Sequence, residues 1–483
     1  MRADVAIVGG GITGLSAAYR LQKLFAERGQ SINAVLIEKD QRPGGKLVTR
    51  REDGFIVECG PDSFLASKPW AMELIRDLGL ESDVVHPQAH GSHILKRRTI
   101  HRIPDGLTGI VPSRPAELWA APFMSFRGKL RASMEPLVPR RKSAGDESVG
   151  AFLRRRAGME LSQTLLEPFT SGIYGGDAME LSLRALFPSL AEWESKYGSL
   201  ARGARAARKS RPKSSHSKGA VYSMRFGAAS IVDAIVSRLE SVTVITGFGV
   251  TEIDRRTESE SALYTLRLDD GRIVTADNII LATPAGATAR LARGFAPDCA
   301  SLVSEIQYRP AASVSLVFNR DQVRRPIEGS GFLVPRTEPS HLLGCTWVSS
   351  KWPTRSHGDA VFLRVYAGAS ALQMDDKALA REVTAELGAL MDIDGAPRRS
   401  WVTRWPEAMP HYRVGHLSLM GRLDAALARH PGLFLAGAAY RGIGVPDCIR
   451  QGFEAADGVV ERISARHAGR AVESATELQG GRR

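Results

Sequence analysis

The first fourteen residues constrain this chain most. Asp4-Val-Ala-Ile-Val8 is a short apolar run that meets a glycine-rich turn, with Gly9, Gly11 and Gly14 at the G-x-G-x-x-G spacing. Leu15-Ser-Ala-Ala-Tyr-Arg-Leu21 then reads as helix. Strand, turn and helix in this order suit the two phosphates of a dinucleotide. The first glycine allows a tight turn, the second lets the backbone approach the pyrophosphate, and the third lets helix pack closely on strand. The helix start offers unpaired N–H groups and the positive end of its dipole. A second apolar run, Ala34-Val-Leu-Ile37, ends at Glu38, an acid placed for a pair of ribose hydroxyls.

At 483 residues the chain is too long for one core, so two or three packed units are expected. Its formal charge of +13 suits an acidic partner, or reflects a general arginine bias. No zinc finger or helix-turn-helix is present, so no nucleic-acid partner is expected. Cys59, Cys299, Cys345 and Cys448 lie far apart, as reduced thiols of a cytoplasmic protein would. His101, His341, His411 and His416 have no ligand spacing, and no metal is expected. The strand at the N-terminus does not read as a signal peptide, and no run of about 18 apolar residues is found.

Along the chain, Gln41-Arg-Pro-Gly-Gly-Lys46 follows Glu38, and Gly54–Phe64 reads as a strand entering a tight turn. Residues 105–218 read as helices, with a solvated basic loop over 202–218 that carries seven Arg and Lys. Strands dominate 242–284 and 311–370, and residues 376–391 form an amphipathic helix. Leu433–Gly437 reads as a buried strand, Ala438–Pro446 as a glycine loop and Cys448–Ile463 as a helix. The expected fold class is therefore α/β. A Rossmann-like unit would be assembled from 1–85, 219–290 and 400–465, and a β-rich unit from 86–104 and 291–399. A helical unit (105–218) and a disordered tail (466–483) complete the division.

A lone glycine turn is weak evidence, but four features agree: the turn, Glu38, the Pro-Gly-Gly-Lys segment and the closing strand–glycine–helix unit. A nicotinamide domain has no need of the last, whereas a flavin ring projects away from its ADP half and needs a second helix start. That start, near Pro446-Asp-Cys-Ile449, favours negative charge on the ring.

Gly9–Gly14, Gly60-Pro-Asp-Ser-Phe64, Leu166–Asp177, Trp405–His416 and Gly442–Cys448 together resemble the porphyrinogen oxidases of haem synthesis. These are FAD enzymes that oxidise protoporphyrinogen or coproporphyrinogen, and the resemblance covers nearly the whole chain. It implies a fold of the amine-oxidase type, with β-rich and helical units inserted into the FAD domain. Carried onto matching positions, it implies FAD contacts at Gly9, Gly10, Gly11, Ile12, Thr13, Gly14, Glu38, Lys39, Lys46, Gly60, Pro61, Asp62, Ser63, Val250, Trp405, Ile443, Gly444 and Val445. It also implies dehydrogenation in three two-electron steps, with O2 as acceptor and hydrogen peroxide as product. The flavin carries the chemistry, and no acid or base side chain is assigned.

A porphyrinogen is a bulky apolar macrocycle with ionised propionates, so apolar walls and a few cationic anchors are expected. Phe332 and Leu333 are candidate walls, Tyr366 faces either pocket or core, and Lys68 is a candidate anchor. The basic balance and the segment Val445–Gly452 favour coproporphyrinogen over protoporphyrinogen. An amine oxidase and a non-catalytic flavin or porphyrin carrier are the rivals. Peripheral membrane contact through Leu107–Val111 and Leu118–Met124, and docking of a ferrochelatase on the basic loop, stay open.

Overall fold

The computed structural model describes residues 1–104, 115–143, 145–210, 220–258 and 261–480. Its first sheet is built on five parallel strands, in the order Val242–Thr246, Ala34–Glu38, Arg2–Val8, Ile273–Leu281 and Leu433–Leu435. Val5 to Val8 pair with Ala34 to Ile37, and Ile279 to Leu281 with Leu433 to Leu435. Ala34–Glu38 is buried at every position, as a strand covered on both faces must be. Val250–Glu258 and Ser261–Leu268 add an antiparallel pair against the lower half of Ile273–Leu281.

Helices cover both faces. The opening helix (Ile12–Ala26), Trp70–Asp77, Ala229–Val236 and the closing helix (Val445–Gly480) share one apolar cluster. Ala285–Ala292, Pro297–Ser304 and His416–Leu427 share the other. Opening and closing helices cross in close contact: a Cβ on Gly452 would lie 2.4 Å from the Thr13 carbonyl oxygen. The closing helix runs to Gly480 without a break, so the disorder expected from residue 466 is corrected as far as 480. Ala, Glu and Arg dominate that stretch, and such residues lose little on becoming helical.

The second sheet has seven strands, in the order Arg399–Pro410, Tyr308–Phe318, Val361–Ala367, Leu342–Trp347, Gly331–Leu333, His93–Lys96 and Thr99–Arg102. The helix Asp376–Met391 lays Leu379, Val383, Leu387, Leu390 and Met391 on one face of it. Residues 400–410, assigned from sequence to the nucleotide-binding unit, are part of this sheet's edge strand. Pro406 is tolerated there because an edge strand need not donate on its outer side.

The helical segments from Pro115 to Ser210 pack around Phe152, Leu153, Leu165, Leu166 and Leu181. A buried ion cluster ties them together: Arg156 pairs with Glu135 and Glu194, and Glu135 also accepts from the Leu200 N–H at 2.8 Å. Leu200–Ser210 is helix, so the first half of the expected basic loop is corrected; 211–219 lie outside the described residues. Alanines at 201, 204, 206 and 207 among arginines favour that helix. The candidate membrane stretch 107–111 also lies outside the described residues. In the other, Leu118, Ala121, Phe123 and Met124 point into the core, and Trp119 is exposed. Among the described residues no helix is long and apolar enough to cross a membrane.

Candidate functional site

The three glycines of the opening turn meet different surroundings. Gly9 has φ +103°, and a Cβ there would lie 2.8 Å from the Ala282 carbonyl oxygen. A Cβ on Gly14 would come within 2.0 Å of the Gly9 carbonyl oxygen, so helix and strand touch at this point. A Cβ on Gly11 would meet nothing within 4 Å. Gly11 caps the opening helix with no side-chain hydrogen bond, so the N–H groups of the first turn, from Ile12 to Gly14, are left for a ligand. Gly10 N–H donates to Glu38 Oε2 at 2.7 Å, and Asp40 N–H donates to Oε1 at 2.9 Å. These bonds fix the buried Glu38 carboxylate at the end of its strand, and each oxygen keeps a lone pair. Lys39 is exposed just beyond it, and Val250 is buried on the neighbouring antiparallel strand.

Pro43-Gly-Gly-Lys46 lies against this turn. Gly44 N–H donates to the Gly10 carbonyl at 2.7 Å, and a Cβ on Gly45 would be 3.1 Å from Gly11 Cα. Lys46 extends over the Tyr308 ring, with Nζ 5.3 Å from its centroid, and that ammonium has no hydrogen-bond partner among the described residues. Burial lowers the Lys46 pKa, and Cys448 and Glu407 oppose that shift. The Gly60–Ser63 turn packs on the same segment, since a Cβ on Gly60 would lie 1.8 Å from the Lys46 carbonyl oxygen. Pro61 is exposed on it, and Trp405 Nε1–H donates to the Cys59 carbonyl at 2.7 Å.

The closing segment is pinned from beneath. Tyr412 Oη–H donates to the Ala438 carbonyl at 2.7 Å and accepts from Gly442 N–H at 2.9 Å. His416 stacks on the Tyr412 ring at 3.7 Å. Ile443 follows the turn at Gly442, Gly444 N–H donates to Asp447 Oδ2 at 3.2 Å, and Val445 starts the closing helix. Cys448 sits buried in its first turn, and burial pushes its thiol up to about 11. The opening turn, residues 44–63 and residues 442–448 thus meet in one place. Open space at Gly11, an uncapped helix start and an unpartnered Lys46 fit a dinucleotide cofactor.

The sequence model of the family described as flavin containing amine oxidoreductase matches residues 12–460. Coproporphyrinogen III oxidase of Bacillus subtilis is 36% identical over 459 residues, which cover 93% of this chain and 96% of that one. Protoporphyrinogen oxidase 1 of Arabidopsis thaliana is 30% identical, over 94% of this chain and 87% of its own. A crystal structure from Exiguobacterium sp. 255-15, named for protoporphyrinogen oxidase, superposes with a TM-score of 0.82 at 30% identity, over 95% of this chain and 98% of its own. The chain belongs to the flavin-containing amine oxidoreductases, in their porphyrinogen oxidase group.

In this FAD-dependent oxidoreductase a second set of residues lies where the second sheet meets the helical segments. Leu333 points at the helix Glu167–Tyr174, where a Cβ on Gly172 would be 3.6 Å from its Cδ2. Met409 Sδ lies 3.4 Å from the Cβ position of Gly175. Tyr174 is near Asp447, and burial pushes its hydroxyl up to about 12. Phe332, expected as a pocket wall, is turned the other way: it is 3% exposed and packs edge-on against Trp347 in the second sheet's core. Successive strand residues face opposite sides, so only one of Phe332 and Leu333 can look toward the helices. Lys68, expected as an anchor, forms an ion pair with Asp447, which leaves it holding the closing helix. Tyr366 is half-buried and carries the Arg364 guanidinium over its ring at 5.1 Å. Arg364 was missed in the sequence, although a charge within Val361-Phe-Leu-Arg-Val-Tyr-Ala367 is itself a signal.

Proposed function

We propose that this enzyme oxidises coproporphyrinogen III to coproporphyrin III in haem synthesis. The observation that carries the reading is the 36% identity to the Bacillus subtilis coproporphyrinogen III oxidase, sustained across 93% of the chain. The surplus of 65 Lys and Arg over 52 Asp and Glu also suits a tetracarboxylate better than a dicarboxylate, and disfavours a cationic amine. In this reading Gly9–Gly14, Glu38, Lys39, Lys46, Gly60–Ser63, Val250, Trp405 and Ile443–Val445 hold FAD. The second sheet and the helices from Pro115 to Ser210 enclose the macrocycle.

FAD bound there supplies a two-electron acceptor. The chain's own groups bind, orient and shield. The N–H groups at Ile12 to Gly14 and the Lys46 ammonium suit the pyrophosphate, and the buried Glu38 carboxylate suits a ribose. In this reading Leu333, Tyr366 and Met409 face the macrocycle and exclude water from that side of it. Six hydrogens leave the macrocycle as three pairs; three molecules of dioxygen become three of hydrogen peroxide, so atoms and electrons balance.

The test is a pair of initial rates under air, with coproporphyrinogen III and with protoporphyrinogen IX, read by porphyrin fluorescence together with released peroxide. Faster turnover of coproporphyrinogen, with three peroxides per porphyrin, is expected. Faster turnover of protoporphyrinogen moves the assignment to that substrate. A yellow protein that is not bleached anaerobically by either porphyrinogen overturns the reading.

A further inference from the structure

Arg364 is buried without the partners that a buried arginine requires. It is 6% exposed, at the middle of the strand Val361–Ala367, opposite Ser315 on one side and Thr346 on the other. A guanidinium has five N–H donors and cannot shed its charge. Among the described residues it makes one long hydrogen bond, from Nη2 to Ser313 Oγ at 3.5 Å. Its Nε–H has no acceptor among the described residues.

The acids nearby are already engaged. Glu58 accepts from Thr49 Oγ1 at 2.8 Å, from Ala228 N–H at 2.8 Å and from Arg355 Nη2 at 3.2 Å. Asp62 accepts from Ser63 Oγ at 2.8 Å and from Trp352 Nε1 at 3.4 Å, and pairs with Lys351 at 3.7 Å. Three buried or half-buried cations, Lys351, Arg355 and Arg364, therefore face two carboxylates. A buried guanidinium with one long hydrogen bond, whose nearby carboxylates Asp62 and Glu58 are shared with two other cations, is costly, so the free protein carries one positive charge in excess at this place that a ligand can neutralise. That charge lies beside the Gly60–Ser63 turn and on the same sheet face as Tyr366, two residues on.

We propose that Arg364 is a substrate-binding residue that receives a carboxylate arm of the macrocycle. The planar fork matches a carboxylate with two parallel bonds, and the Tyr366 ring beneath it fixes the plane. The role sought in Lys68 thus passes to a residue whose charge is not already matched. This inference rests on the porphyrinogen reading above.

The test compares binding of coproporphyrin III and of its tetramethyl ester to the FAD-loaded enzyme, by quenching of porphyrin fluorescence. Arg364→Met is expected to weaken the acid at least about tenfold, to leave the ester unchanged and to keep full flavin content. It should also raise KM for the porphyrinogen more than it lowers kcat. Unchanged affinity for the acid, or an equal loss for acid and ester, overturns the proposal. Where Arg364→Met does not fold, Arg364→Lys keeps the charge beside Asp62 and loses the fork. A drop of about threefold or more, for the acid alone, is then expected, and equal affinity overturns the proposal. Wild-type enzyme that binds neither porphyrin and oxidises no porphyrinogen overturns the functional reading itself, and this inference with it.

Discussion

Gly11 and Gly14 stand three residues apart and are predicted to fail in opposite ways. A methyl group at Gly14 would overlap the Gly9 carbonyl, a backbone atom that has no room to move. Gly14→Ala should therefore cost about 2 kcal/mol or more and lower the melting temperature even without cofactor. Gly11→Val should leave the apoprotein's melting temperature nearly unchanged and abolish the yellow colour, because its side chain fills only space that a pyrophosphate needs. Thermal melts of the apoproteins and the ratio of flavin to protein absorbance separate the two. A Gly11→Val protein with stoichiometric flavin would place the pyrophosphate elsewhere. Spacing alone allowed each glycine a separate task, since each task requires the absence of a Cβ. Residues such as Phe332 and Leu333 were harder to read: adjacent apolar residues in a strand reveal that one is turned inward, and only the pairing partners decide which.

The segment from Arg399 to Leu427 shows how an element can serve two parts of the molecule. Its strand is an edge of the second sheet, while Tyr412 and the helix behind it hold the loop that leads into the closing helix. Tyr412→Phe removes one hydroxyl that bonds both Ala438 and Gly442. It leaves a half-buried carbonyl and a half-buried N–H without that partner, for about 1 kcal/mol and a measurable rise in the FAD dissociation constant. Urea unfolding and flavin titration check both effects; an unchanged flavin affinity would separate this loop from the cofactor. From sequence, residues 400–465 are assigned to the nucleotide-binding unit, and Pro406 with its charged neighbours carries no strand pattern that would separate 400–410 from it. The Arg-rich run at 202–210 and the tail after Ile463 were misread for a related reason. Stretches rich in charged and small residues have the composition of loops even where they are helical.

Across the whole molecule, buried histidines set a direction for acid sensitivity. Burial lowers the pKa of His93 in the second sheet, and of His411 and His416 beside the closing loop, below the ordinary 6.5. For His411 a hydrogen bond to Glu180 opposes the shift without cancelling it. Below about pH 6.5 the unfolded chain takes up protons that the folded one does not, so stability falls as pH is lowered from 7 toward 5. Melting temperatures across that range should decline steadily, with His416→Gln showing a shallower slope. A melting temperature that rises toward pH 5 would contradict this. The α/β class and the cofactor segments could be read in advance because glycine spacing and apolar runs are local. The unmatched Arg364 could not, since the charge balance around it is drawn from residues 58, 62, 351 and 355.

The sheet that carries the glycine turn sets residues 2–8 beside 273–281, and 273–281 beside 433–435. During synthesis the first strand can pair with 34–37 early, but its other neighbour, 273–281, and the strand beyond that, 433–435, leave the ribosome much later. On the proposed placement of FAD, flavin capture is expected late in the life of each polypeptide, and a product that stops short of residue 433 is expected to stay colourless however well its opening turn is made.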